Sequence, residues 1–119
     1  MRSYTSLEQS KKLAEILPIE SADMAWYPSY DKEGYSIRML NDTYPLDIIG
    51  EEHDEIPAWS LAALLEELNR NCWKVSLKCC GAEWDMTYDD GEKYISVSSD
   101  YAIDACYEMI LKLHEQKLL

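Results

Sequence analysis

Apolar and polar residues alternate most regularly in the second half of the chain. Two predicted turns divide this half into three strands: the first at Cys80-Gly81 and the second at Asp90-Gly91. Asp-Gly is a dipeptide that favours type I′ hairpins. These turns pair apolar residues on one face: Cys79 with Ala82, Leu77 with Trp84, Val75 with Met86, Trp73 with Tyr88, Met86 with Ile95, and Trp84 with Val97. A slip by one residue would bring polar residues onto that face. The pattern therefore predicts a three-stranded antiparallel meander.

Two further segments of the first half predict helices. Thr5 at the N-cap and Glu8 three residues later form the pattern of a capping box, which predicts a helix from about Ser6 to Leu17 that Pro18 ends. A second helix is predicted from Pro57 to Asn69, because four leucines follow the spacing i, i+3, i+4 and i+7: Leu61, Leu64, Leu65 and Leu68. Proline suits the first turn of such a helix.

The last segment predicts a third helix that closes the meander. Ser98, Ser99 or Asp100 caps it, and it runs to about Gln116. Its inner stripe consists of Ala102, Ile103, Cys106, Ile110 and Leu113.

The first half also carries two predicted strands, Met24 to Tyr30 and Tyr35 to Leu40, with Trp26 opposite Met39. Pro28 cannot donate a ladder hydrogen bond, which favours an edge strand. The stretch 41–56 is hard to interpret, apart from a short strand predicted at Leu46 to Ile49. The order α-β-β-α-β-β-β-α predicts an α+β fold: an antiparallel sheet of about five strands with its helices on one face.

Size and charge narrow the possible functions. The 119 residues suit one domain spanning 1–119, and 47% of them are hydrophobic, which is enough for a core. No apolar run reaches the roughly 18–20 residues that cross a membrane, so we expect a cytoplasmic protein without a membrane partner. A net charge of −12 disfavours nucleic-acid binding and permits a basic protein partner. The four cysteines lack a CxxC spacing, which favours reduced thiols.

Candidate chemistry is sparse. The run Glu51–Glu55 around His53 offers oxygen and imidazole ligands, but consecutive side chains point in different directions, and we interpret it as a solvated loop. His114 lies near the end of the last helix, and neither histidine belongs to a nucleophile motif. The four glycines are scattered, so no phosphate-binding loop is predicted. We therefore expect no catalytic residue, no metal, no cofactor and no enzymatic activity.

Aromatic residues suggest one candidate contact surface. Trp59 lies beside the leucine stripe of the predicted second helix, and two interpretations remain open. It either completes the core around the helix end, or it stays exposed and forms a partner-contact patch with Tyr44.

Four segments are distinctive together: residues 5–10 (Thr-Ser-Leu-Glu-Gln-Ser), 20–24 (Glu-Ser-Ala-Asp-Met), 56–61 (Ile-Pro-Ala-Trp-Ser-Leu) and 104–110 (Asp-Ala-Cys-Tyr-Glu-Met-Ile). In this order they resemble a family of small uncharacterised proteins carried by phages and integrated mobile elements of gut bacteria. The resemblance spans nearly the whole chain and implies an accessory protein of a mobile element, with no functional residue attached to it.

Three hypotheses about function follow. The first is a non-enzymatic accessory or protein-interaction protein of a phage or mobile element. The second is an acidic mimic of DNA that inhibits a nucleic-acid enzyme, which requires carboxylates in ordered rows. The third is a small metal-dependent enzyme that uses the acidic cluster around His53.

Overall fold

A computed structural model describes residues 3–28, 34–41, 55–71 and 74–119 of the chain. The fold is α+β, with two three-stranded antiparallel sheets in the order β2-β1-β3 and β4-β5-β6. The elements in chain order are α1 (Leu7–Leu13), β1 (Met24–Pro28), β2 (Tyr35–Met39), β3 (Ile56–Ala58), α2 (Leu61–Asn71), β4 (Val75–Cys80), β5 (Glu83–Asp89), β6 (Tyr94–Ser99) and α3 (Ala102–Glu115), and a short 3-10 helix, Ile19–Ser21, precedes β1. The predicted α+β class is confirmed, but the predicted single sheet is two sheets.

The chain divides into two compact units rather than one continuous cluster. One unit is Tyr4–Ser60, and the other is Leu61–Leu119 with Ser3. The first unit contains α1 and the sheet β2-β1-β3, and the second contains α2, the sheet β4-β5-β6 and α3.

The first helix is shorter than predicted and is capped one residue later. Ser6 occupies the N-cap, where its hydroxyl accepts a hydrogen bond from the Gln9 backbone, and the Gln9 side chain accepts one from the Ser6 backbone. Thr5 is instead fully buried, where its hydroxyl shares a hydrogen bond with Ser10 and accepts another from the Trp59 backbone. The predicted capping box of Thr5 and Glu8 was therefore wrong by one position.

The sheet of the first unit places β1 in the centre, which contradicts the edge position predicted from Pro28. Pro28 is tolerated because β3 pairs only with Met24–Trp26, so the missing N–H lies beyond that ladder. The register with β2 pairs Trp26 with Ile37 and Met24 with Met39, two residues from the predicted pairing of Trp26 with Met39. The predicted strand Leu46 to Ile49 lies outside the described residues.

The segment predicted as the first turn of the second helix is a strand. Ile56–Ala58 pairs with β1, and α2 begins only at Leu61. Pro57 is buried in this strand, and the residue that it faces across the ladder is Ala25. All four predicted stripe positions confirm the helix face, because Leu64 and Leu68 are buried and Leu61 and Leu65 are half-buried. Glu67 also lies on the buried side.

The meander of the second unit is confirmed, with a different register. Cys79 pairs with Trp84 and Leu77 with Met86, whereas Met86 on its other side pairs with Val97. Each pairing is shifted by two residues from the prediction, and because strand side chains alternate with a period of two, the same residues share the inner face. The predicted pair Trp73 with Tyr88 involves a residue outside the described part of the chain.

The shift arises in the turns. The first loop is Gly81-Ala82, in which Gly81 alone has a positive φ, +66°, the pattern of a type II′ turn. A turn at Cys80-Gly81 would have required a positive φ at a cysteine. The second loop has four residues between Asp89 and Tyr94, since the Asp90 carboxylate accepts hydrogen bonds from the backbones of Glu92 and Lys93.

The last helix packs on β5 and β6, and α2 packs beside it. The core of this unit contains the inner stripe of α3 with residues of the sheet: Ile103, Cys106, Met109, Ile110, Leu113, Met86, Tyr88 and Ile95. The position before α3 is Tyr101, whose side chain makes no capping hydrogen bond, so none of the three predicted caps is used.

Candidate functional site

Trp59 is a core residue. Its side chain is fully buried, and its indole N–H donates a hydrogen bond of 2.9 Å to the hydroxyl of Ser21. The sequence left two interpretations of Trp59 open. The structure confirms that Trp59 packs in the core, so the interpretation as an exposed partner-contact residue is wrong. Tyr44, the other candidate residue of that patch, lies outside the described residues.

Polar side chains around Trp59 fix the backbone of the first unit. Asp23 accepts hydrogen bonds from both the backbone N–H and the hydroxyl of Ser60, at 2.9 and 2.5 Å. Thr5 accepts through its backbone carbonyl from the indole of Trp26 at 3.1 Å. Because each of these groups binds the fold itself, we assign this network to stability.

The acidic cluster proposed for metal lies mostly outside the described residues, since Glu51 to Asp54 are not described. Its last member, Glu55, forms a bidentate ion pair with Arg38, in which the Arg38 Nε and Nη2 atoms donate to the two carboxylate oxygens at 2.9 and 2.8 Å. Arg38 pairs with Ala25 in the register of β1 with β2. Among the residues that the structure describes, no three histidine, cysteine or acidic side chains form a group that could hold a metal ion.

The described cysteines differ sharply in environment. Cys79 and Cys80 are exposed at the end of β4, whereas Cys106 is buried in α3, where burial raises the pKa of its thiol to about 12. The pKa of Cys80 is also raised, first by a hydrogen bond to the Asp85 carboxylate. Neither thiol therefore has the lowered pKa of a reactive cysteine.

An open groove of about 390 Å³ lies between α2 and the meander, and we call it the α2–β4 groove. Its floor consists of two buried side chains, Leu68 and Met86. Its walls are half-buried apolar side chains, Leu65 on α2 and Val75 and Leu77 on β4. The polar residues at the groove are Glu66 and Asn69.

The groove exists because the helices cover the inner sheet face unevenly. α3 packs on β5 and β6, and the apolar residues of these strands are correspondingly buried, Met86, Tyr88 and Ile95 among them. On β4 the inner residues Val75 and Leu77 are only half-buried, and Cys79 is exposed. Burial thus falls from the centre of the sheet to its β4 edge.

The opposite face of the same sheet is polar and internally hydrogen-bonded. Ser76 and Thr87 share a hydrogen bond of 2.7 Å, and Ser98 donates one of 2.6 Å to Asp85. The hydrogen bonds from Ser98 and Cys80 lower the pKa of Asp85. Lys78 lies opposite Asp85 in the ladder.

The sequence predicted the apolar groove residues as core positions and did not predict the groove itself. Val75, Leu77 and Met86 were assigned to the apolar face and Leu65 to the helix stripe, as observed, but alternation does not show which helix covers which strand. Edge-strand position is the one signal that could have indicated incomplete cover of β4.

No family model, no curated protein and no solved structure matches this chain. In the described part of the chain, none of the helices combines the length and the apolar character needed to cross a membrane.

Proposed function

We propose that this chain is a non-enzymatic protein-interaction protein that binds a partner through the α2–β4 groove. The observation that carries the proposal is the groove itself, an open surface bounded by the apolar side chains of Leu65, Val75 and Leu77 beside a buried core. Apolar side chains left half-exposed in a continuous group are typical of binding sites in small proteins.

The chemistry of the lining also favours binding. A volume of about 390 Å³ falls within the range of sites that accept a few side chains of a partner. The polar groups available at the groove are a carboxylate and an amide, Glu66 and Asn69, which can orient a partner by hydrogen bonds. We therefore infer that apolar burial and hydrogen bonds both contribute to the affinity.

The biological setting that we propose is that of an accessory protein of a phage or mobile element, as the resemblance of the four sequence segments implies. Such a protein would act by occupying a surface of another protein. Its net charge of −12 would speed the approach of a basic partner and keep the free protein soluble.

The proposal is tested by affinity capture from an extract of the source cell with two matched variants. Leu65→Gln places an amide in the groove wall, and Leu111→Gln makes the same change at a half-buried position of α3 that does not line the groove. We expect the wild type and Leu111→Gln to recover the same partner and Leu65→Gln to lose it, with similar melting temperatures for both variants. Equal recovery by both variants would place the contact elsewhere, and no recovered partner would count against an interaction function.

A further inference from the structure

We propose that the α2–β4 groove binds one extended segment of a partner protein as an additional strand beside β4, and that acidic residues alternate with apolar residues in this segment. The inference rests on the proposed function and specifies the partner's conformation and chemistry. It follows from three features of the second unit: the backbone groups at the β4 edge, the apolar groove below them and the lysines above them.

The backbone of β4 presents a row of hydrogen-bonding groups on the side away from β5. The N–H of Asp89 donates to the carbonyl of Lys74 at 3.3 Å, so Lys74 and Asp89 form a hydrogen-bonded pair of the antiparallel ladder. Hydrogen-bonded pairs alternate along such a ladder, so the N–H and C=O groups of Val75, Leu77 and Cys79 point away from β5. Within the described residues no strand pairs with this edge, which makes it a template for one more strand.

The side chains of Val75 and Leu77 line the groove, and Cys79, on the same face of β4, is exposed. In an added strand every second side chain would therefore lie on the inner face, next to Val75 and Leu77 and across from Leu65 on α2. Two or three apolar side chains would cover the half-buried walls and extend the apolar layer that α3 already completes over β5 and β6. A single register of the added strand would thus allow both the backbone hydrogen bonds and the burial of its apolar side chains.

Charged residues on the outer face of β4 favour acidic residues at the outward-facing positions of the partner strand. Lys74 and Lys78 are exposed there, on either side of Ser76. The strand that β4 already pairs with carries acids on this face, with Asp85 opposite Lys78. Cross-strand neighbours lie about 5 Å apart, which is inside the Debye length of about 8 Å at physiological salt, so the local lysines decide the choice despite the negative net charge.

The same lysines argue against a second copy of this chain as the occupant. If β4 paired with β4 of another copy, lysines would come together on the outer face of the joined sheets, and like charges in facing positions destabilise a ladder. Lysines on an edge strand are a common device against such self-association. An acidic strand from another protein meets no such penalty.

The test uses a capped synthetic peptide with the sequence of residues 83–89, because β5 alternates acidic and apolar residues and already pairs with β4 along its other edge. Hydrogen exchange of the intact protein is followed by NMR with and without the peptide. We expect slowed exchange at the amides of Val75, Leu77 and Cys79 on saturation. Shifts of the Leu65 and Leu77 methyl groups without slowed exchange at these amides would indicate a groove ligand that is not a strand and would overturn the proposal.

Charge preference is tested with a second peptide that has lysine in place of the three acidic residues of the first. We expect it to bind about fivefold more weakly or worse. Lys78→Glu should reverse the preference, whereas Lys112→Glu, which makes the same change in net charge on an exposed position of α3, should not. The comparison of the acidic and lysine peptides on the wild-type protein tests the charge preference by itself, so this test remains valid even if Lys78→Glu fails to fold. Equal binding of both peptides, or tighter binding of the lysine peptide, would overturn the proposal.

Two further outcomes separate this inference from the proposed function. A dimer of the free protein in sedimentation equilibrium, with the edge amides of β4 already protected, would show a second copy at this edge and overturn the partner strand. Capture of a partner that depends on Leu65, combined with no binding of the acidic peptide, would overturn strand addition and leave the interaction function in place.

Discussion

Trp59 joins three segments of the first unit through one residue. Its backbone N–H donates to the Thr5 hydroxyl at 3.1 Å, its carbonyl accepts from the Thr5 backbone at 2.9 Å, and its indole donates to Ser21 at 2.9 Å. The fully buried ring fills the space between these contacts. A residue that combines this burial with a side-chain hydrogen bond contributes to stability through packing first and polarity second.

We therefore expect Trp59→Ala to lower the free energy of unfolding by about 3–5 kcal/mol, because a large cavity would replace the ring. Trp59→Phe keeps much of the volume and removes the indole N–H, so it should cost clearly less than Trp59→Ala. Urea unfolding followed by circular dichroism measures both. A loss of stability below about 1 kcal/mol for Trp59→Ala would contradict the core position and revive an exposed contact.

Cys106 makes the stability of the fold decrease with rising pH in the alkaline range. Its thiol has a pKa of about 12 in the fold, against an ordinary value of 9.0, because burial disfavours the thiolate. The fold therefore favours the neutral form, and this contribution is complete below pH 9.0 and is lost as the pH rises from there towards 12. We expect the unfolding free energy to fall over this window more steeply in the wild type than in Cys106→Ala. Parallel pH profiles of the two proteins would contradict this assignment.

At the scale of elements, the β4–β5 hairpin depends on its first loop residue. Gly81 has a φ of +66°, and no heavy atom would lie within 4 Å of an added Cβ, so substitution there tests backbone conformation without a steric clash. Gly81→Ala should destabilise the protein by about 1–2 kcal/mol, since a left-handed conformation has this cost for residues with a Cβ. Ala82→Gly is the matched control, and thermal unfolding measures both. If Gly81→Ala is neutral and Ala82→Gly stabilises, the turn has been placed one residue too early.

Apolar periodicity predicted the elements of this fold better than it predicted their pairing. The meander and α3 were predicted because their apolar residues repeat with one period over many positions, and a shift of two residues leaves every side chain on its face. The register depends instead on turn geometry, where glycine position and the Asp90 carboxylate decided the outcome. Ile56–Ala58 was missed because a three-residue strand containing proline carries no period, and its partner residues in β1 lie 30–34 positions away in sequence.

The candidate site was less predictable than the fold for a related reason. The walls and floor of the α2–β4 groove have the apolar character of core residues. Sequence alone does not show that α3 lies over β5 and β6 and leaves Val75 and Leu77 half-covered. An exposed position for Trp59 stayed open beside the core position because a helix was predicted to begin before it. Once β3 and the start of α2 at Leu61 are known, its position before the helix and inside the first unit follows.

At the scale of the whole molecule, the net negative charge destabilises the folded state. The chain carries 23 acidic and 11 basic residues, and a net charge of −12 on 119 residues favours expanded states through self-repulsion. Few of the described ion pairs offset it, because pairs such as Glu66 with Arg70 are largely exposed and contribute at most about 1 kcal/mol each. The surface charge therefore costs stability at low salt while it maintains solubility.

Screening should recover part of that loss. We expect the melting temperature at pH 7 to rise when sodium chloride increases from about 10 mM to about 300 mM, because the Debye length shrinks from roughly 30 Å to below 8 Å and weakens repulsion between distant carboxylates. Close to the isoelectric point of about 4.4 the net repulsion is absent, so the same salt increase should leave the melting temperature unchanged or lower it as attractive pairs are screened. Potassium chloride should act as sodium chloride does, whereas a specific cation effect would separate the two salts. A melting temperature that falls with salt at pH 7 would show that local ion pairs, such as Arg38 with Glu55, outweigh the net charge.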